Sequence, residues 1–207
     1  MKASNDSANL AAVKEVLGEI RRPTPRSGCI AICWGVIFLI GFLLTHFMPY
    51  LVPTGPLQYI IPLSWIVWVV LGIVATTILS RKRLYESSET VLWFAEQVLK
   101  QMTITWLSLI TLGLILSVLS VTLNLLDPKY ISPIWMLIVA VGSIIMGEFI
   151  GWEFYLVGIV LMVGGVVTAV SFPQHAFGIF GVLFGGGFII SGAYMILAYH
   201  LKQKSAT

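Results

Sequence analysis

Residues 132–171 read SPIWMLIVAVGSIIMGEFIGWEFYLVGIVLMVGGVVTAVS. Two apolar runs, Ser132 to Ile150 and Trp152 to Ser171, meet at Gly151, and the only charges in the stretch, Glu148 and Glu153, flank that glycine. Each run has the roughly 20 residues that a bilayer-crossing helix requires. Backbone amides find no partner in hydrocarbon, so each run must satisfy its own hydrogen bonds as a helix. The sequence lacks the alternating segments of about ten residues that mark a membrane barrel. The stretch therefore predicts a transmembrane helical hairpin.

The same pattern extends outward, with further apolar runs at Cys29 to Met48, Gln58 to Ser80, Gln101 to Leu125 and Phe177 to Leu201. The 207 residues are 58% hydrophobic and 10% charged, with a mean hydropathy of +0.96. A soluble domain carries about 25% charged residues, so a water-soluble globule and a disordered chain are both excluded. The expected fold is all-α: an integral membrane six-helix bundle, residues 28–201, built from three helical hairpins. A cytoplasmic amphipathic segment, residues 1–27, precedes it, and a cytoplasmic tail, residues 202–207, follows. No small-residue cleavage site follows the first run, so that span is expected to be retained.

Basic residues set the orientation. Lys2, Lys14, Arg21, Arg22 and Arg26 precede the first run, Arg81, Lys82, Arg83 and Lys100 separate the second and third, and Lys202 and Lys204 follow the sixth. Only Lys129 falls on the opposite side of a six-span arrangement. The positive-inside rule then places both termini in the cytoplasm, in a plasma or inner membrane. The net charge of +3 is accounted for by topology and contact with anionic lipid, and no nucleic-acid partner is expected.

Two polar segments have patterns of their own. In Ala8 to Arg22, Leu10, Val13, Val16, Leu17 and Ile20 fall at helical spacing, with Asn5, Asp6 or Ser7 to cap and Pro23 to stop. In residues 81–100, Leu84, Val91, Ala95 and Val98 share a face and Ser87 or Ser88 can cap, which predicts a cytoplasmic extension of the third helix. The outer turns carry proline at Pro49 to Pro56, Pro128 to Pro133 and Pro173. At an offset of 45, Pro128 aligns with Pro173 and Gly147 with Gly192, the mark of a repeated hairpin.

Few residues qualify for chemistry. Gly178, Gly181, Gly185 and Gly192 form one stripe on the last helix, a small-residue surface suited to packing inside the bundle or to an oligomer seam. Glu148 and Glu153 are the candidate functional carboxylates, because acids near the membrane interior are costly. The helix dipole favours Glu153 in a first turn, while Glu148 suits the interface or a basic partner. His46 and His175 read as interfacial histidines, since a zinc site normally has three or four protein ligands. Cys29 and Cys33 lie one turn apart with no C-x-x-C spacing. The seven tryptophans, Trp34, Trp65, Trp68, Trp93, Trp106, Trp135 and Trp152, fall mainly toward span ends, and an aromatic belt is expected to account for most of them. With no G-x-S-x-G, H-E-x-x-H or P-loop pattern, neither catalytic residues, cofactor nor metal is assigned.

The stretches LKQMTITWLSLITLGLILSVLS (99–120), DPKYISPIWMLIVAVGSIIMGEFIGW (127–152) and GIFGVLFGGGFIISGAYMILAY (178–199), with the lead-in VKEVLGEIRR (13–22), resemble small six-span bacterial inner-membrane proteins. The hairpin pattern is also similar to that of HdeD-type acid-stress membrane proteins. The resemblance implies a six-helix inner-membrane protein and carries no functional residue with it. The expected function is a non-enzymatic accessory or regulatory membrane protein that engages a partner through its cytoplasmic face, in contact with lipid and able to form a homo-oligomer. The alternative is a small transporter or channel with Glu148 as its coupling carboxylate.

Overall fold

The computed structural model describes residues 25–51, 60–81, 89–123 and 127–204. The amphipathic helix expected at Ala8 to Arg22 and the cap expected at Ser87 or Ser88 lie outside the described residues. Every described element is helical. The helices are α1 (Pro25–Leu51), α2 (Ile60–Arg81), α3 (Glu89–Thr122), α4 (Ile131–Phe149) and α5 (Trp152–Ser171). The final helix, α6, comprises an α-helical segment Ala176–Phe180, a π-helical turn Gly181–Gly185 and an α-helical segment Gly186–Lys204. Short 3-10 turns, Pro128–Tyr130 and Pro173–His175, precede α4 and α6. Among the described residues, Pro25–Met48, Lys100–Ser120, Ile131–Phe149, Trp152–Ser171 and Pro173–Lys204 are long and apolar enough to cross a membrane. The described residues are all-helical, and the chain is a multi-pass membrane protein. Within α2 the described apolar stretch, Val67–Leu79, is shorter.

Local sequence explains the helix limits. Pro133 falls in the first turn of α4, where a missing N–H costs no helical bond. Gly151 is extended at φ 165° and divides α4 from α5, with the Phe154 N–H donating to its carbonyl at 3.1 Å. From Glu89, the first described residue of this segment, α3 runs unbroken into its apolar part. The π-helical turn was not expected; it falls in the glycine-rich part of α6.

Neighbours in space follow the order α2, α1, α6, α5, α4, α3, with α4 also touching the start of α6. The closest approaches are between α1 and α6 and between α4 and α5. A Cβ on Gly185 would lie 2.6 Å from the Leu39 nitrogen and 2.7 Å from the Gly35 carbonyl oxygen, and one on Gly192 would lie 2.5 Å from the Gly28 carbonyl oxygen. On α5, a Cβ on Gly158 would meet the Ala140 carbonyl oxygen at 2.8 Å. Glycine at these positions lets backbone meet backbone, where dispersion rather than water expulsion holds helices together. The core is apolar, centred on Met136, Leu161, Phe180, Phe184 and Phe188. Helices α2 and α3 are peripheral and present exposed faces, as at Val67, Ile78, Leu107 and Val118.

A second device joins α2 to α1 and α3 to α4. Trp34 Nε1 donates to Thr76 Oγ1 at 2.9 Å, and in return Trp65 Nε1 donates to Thr45 Oγ1 at 3.0 Å. Trp135 Nε1 donates to Ser117 Oγ at 3.0 Å, and Trp106 Nε1 to Met146 Sδ at 3.1 Å. In each case the indole lies over a glycine one turn before the acceptor: Gly72, Gly41, Gly113 and Gly142 would each place a Cβ within 2.6–3.0 Å of the ring. Thr45 and Ser117 also donate to the carbonyls of Gly41 and Gly113 at 2.8 Å, leaving a lone pair aimed across the interface. These four tryptophans therefore clasp neighbouring helices, a role that the expected aromatic belt did not include.

Overpacking of a tight interface costs about 1–3 kcal/mol, so Gly35→Leu or Gly185→Leu is expected to lower the melting temperature in detergent by roughly 3–10 °C. Gly186→Ala, whose Cβ would meet nothing within 4 Å, is expected to leave it unchanged or raise it. For the clasp, a double-mutant cycle of Trp135→Phe and Ser117→Ala is expected to show a coupling of about 0.6–1.7 kcal/mol, measured by unfolding in mixed micelles.

Candidate functional site

Tertiary contacts sort the polar residues to the two ends of the bundle. Arg26 begins α1 beside the contact of Gly28 with Gly192 and Ile196, and α6 then continues to Lys202 and Lys204. The Trp152 ring meets Tyr194 at 5.7 Å, and Gly147 meets Tyr155, which brings the α4–α5 turn to that same end. Lys100 lies ahead of Trp106, which is bonded to Met146 two residues before Glu148. Arg26, Lys100, Glu148, Glu153, Lys202 and Lys204 therefore share one end of the molecule.

At this end Glu148 is exposed in the last turn of α4 and makes polar contact there. Glu153 occupies the first turn of α5, its carboxylate folded back over Gly151, where the positive end of the helix dipole favours it. Neither carboxylate enters the Met136–Phe188 core. Cys29 is exposed and Cys33 half-buried, both as free thiols.

The glycine stripe faces α1. Gly178 packs on His46, Gly181 on Phe42, Gly185 on Leu39 and Gly35, and Gly192 on Gly28 and Ile32. This surface of α6 is thus occupied within the chain.

The opposite end holds Asp127, Lys129, His46 and His175. Lys129 Nζ and Asp127 Oδ2 are 2.9 Å apart, the Lys129 backbone N–H donates to Asp127 Oδ1 at 3.1 Å, and the ammonium lies 5.0 Å from the Tyr130 ring centre. Hydrogen bonding from Lys129 holds the Asp127 carboxyl below its ordinary range, and the same bond raises Lys129. The two 3-10 turns touch each other. Residues far apart in sequence also converge: the His46 and His175 rings lie 5.6 Å apart at 67°, bordering an open groove of about 370 Å³ walled by Leu43, Phe47, Ile179 and Val182.

No protein-family model, curated protein or solved structure matches the chain. The clasp residues escaped sequence reading although a signal for them exists. Trp34, Trp65, Trp106 and Trp135 are each followed at seven and eleven residues by glycine and then Thr, Ser or Met: Gly41 and Thr45, Gly72 and Thr76, Gly113 and Ser117, Gly142 and Met146. Two turns of helix separate each indole from the notch that receives the indole of its neighbour.

Because the folded-state pKa of Asp127 is lowered, its pairing contributes above the unfolded pKa and is lost as pH falls through the folded value. For Lys129 the sign is opposite: the contribution is present below the unfolded pKa and is lost as pH rises through the raised value. Carboxyl-carbon NMR of Asp127 is expected to give a midpoint below that of an unstructured aspartate, moving upward in Lys129→Ala.

Proposed function

We propose that this chain is a non-enzymatic accessory or regulatory protein of the bacterial inner membrane, spanning it six times with both termini cytoplasmic, and that its charged end engages a protein partner. One observation carries the reading: Arg26, Lys100, Glu148, Glu153, Lys202 and Lys204 collect at a single end of a bundle whose core is apolar and rich in aromatic side chains. The excess of basic residues makes that end the cytoplasmic one. The sixth span is α2, whose 22 residues reach about 33 Å and which α1 clasps through Trp34 and Trp65. Hydrophobic faces of α2 and α3 contact lipid, and the resemblance to small six-span inner-membrane proteins supports the location. Glu148 belongs to the docking face under this reading, because it stands exposed at a helix end. Nucleic acid has no part in it.

Affinity purification from native membranes in mild detergent tests the reading. Deleting residues 1–26 is expected to abolish recovery of a stoichiometric partner while membrane insertion persists; equal recovery with and without the segment overturns it. Orientation is checked separately in a Cys29→Ser, Cys33→Ser background. A membrane-impermeant maleimide is expected to label Lys129→Cys from outside, and Lys202→Cys only after permeabilisation.

A further inference from the structure

We propose that the groove between α1 and α6 seats one acyl chain of a membrane phospholipid, with His46 and His175 donating hydrogen bonds to its headgroup phosphate. The groove holds about 370 Å³, a volume within the range of small-ligand sites, which are mostly apolar with a few polar groups that fix orientation. Its walls are Leu43, Phe47, Ile179, Val182 and Leu183, and Gly178 contributes no side chain to fill it. Among the described residues, its only polar side chains are the two imidazoles. Both stand toward the end of the bundle opposite the charged face: His175 precedes the rest of the α6 lining, and His46 packs on Gly178 while Leu43 lies one turn deeper. The matching occupant is apolar along its length and polar at one tip.

Position in the bilayer names that occupant. Both walls belong to segments long and apolar enough to cross the membrane, Pro25–Met48 and Pro173–Lys204, so the medium at the groove is lipid. Neighbouring groups set its depth. The Pro173–His175 turn touches the Pro128–Tyr130 turn, beside which the Lys129–Asp127 ion pair stands exposed, and the His46 ring lies 5.9 Å from that of the exposed Tyr50. Charged side chains and tyrosine belong at headgroup level. From there the lining descends from His175 to Leu183, eight positions or about 12 Å of helix, most of the roughly 15 Å of hydrocarbon in one leaflet. A chain of that leaflet fits along the groove with its phosphate beside the rings. Each neutral imidazole carries one N–H donor, and the phosphate and ester oxygens present acceptors across the whole headgroup, so the two nitrogens need not converge on one point.

The test uses the full chain, stripped of lipid in a maltoside detergent and titrated with palmitoyl-oleoyl phosphatidylglycerol, with bound copies counted by native mass spectrometry. One copy is expected to bind more tightly than any further copy. Val182→Trp, at an outward-facing position, is expected to fill the groove and remove the tight copy while the weaker ones persist. His46→Leu with His175→Leu is expected to weaken the tight copy by about 2–10-fold for each hydrogen bond lost. Diacylglycerol with the same chains, which lacks the phosphate, is expected to bind the unaltered chain with that same reduced affinity. A photoreactive diazirine midway along one acyl chain of the phospholipid is expected to label Leu43, Ile179 or Val182. Absence of a tight copy, its survival in Val182→Trp, labelling confined to other helices, or equal affinity for diacylglycerol and phospholipid overturns the assignment.

Discussion

The contact on which the rest of the structure depends is the meeting of the first and last described helices, α1 and α6, at Gly28 with Gly192 and Gly35 with Gly185. In lipid, apolar surface gains nothing by moving from one hydrocarbon neighbour to another, so helices associate where backbones can approach. A Cβ at Gly185 or Gly192 would fall within 2.7 Å of the opposing backbone. The α1–α6 contact places Phe42 against Phe180 at 4.3 Å and Phe38 against Phe184 at 4.6 Å between ring centres, and brings His46 to Gly178. The π-helical turn Gly181–Gly185 lies within this contact.

The tryptophan clasps answer a different constraint of the same solvent. An indole N–H facing hydrocarbon would lack an acceptor, and a glycine on a lipid-facing helix would leave a notch. Placing one against the other removes both difficulties. The hydroxyls of Thr45 and Ser117 already bond to their own helix, so they accept the indole proton without having been left unpaired. These clasps attach α2 and α3, whose outward faces are otherwise apolar and exposed, to the more closely packed α1, α6, α5 and α4. The two ends of the bundle differ in consequence: one gathers charge on helix termini, the other holds paired turns and two imidazoles above an apolar groove.

Much of this was legible in the sequence because membrane solvation acts on composition directly. An apolar run of some 20 residues has no stable alternative to helix, so Ser132 to Ile150 and Trp152 to Ser171 fall within a residue of α4 and α5. Gly151 and the turns at Pro128 and Pro173 mark helix ends, whereas Pro49, expected to open a turn, lies inside α1. Glu153 in a first turn follows equally from the helix dipole, and α3 is described back to Glu89. The clasp spacing was also present in the sequence, but tryptophans near span ends have a simpler reading as interfacial residues, and only a neighbour with a glycine at the same depth distinguishes the two.

Sequence alone determined that the described residues are helical, where α4 and α5 begin and end, and which residues are too polar for the bilayer centre, since each of these depends on a residue and its solvent. Tertiary structure decided which helices touch. It turned the Gly178–Gly192 stripe toward α1, set four indoles into four glycine notches, and brought His46 within 5.6 Å of a histidine 129 positions away. Those outcomes depend on shape matching between surfaces that are chemically almost alike. Hydrophobicity cannot rank one apolar helix face above another; the placement of small residues and of a few hydrogen-bond donors can.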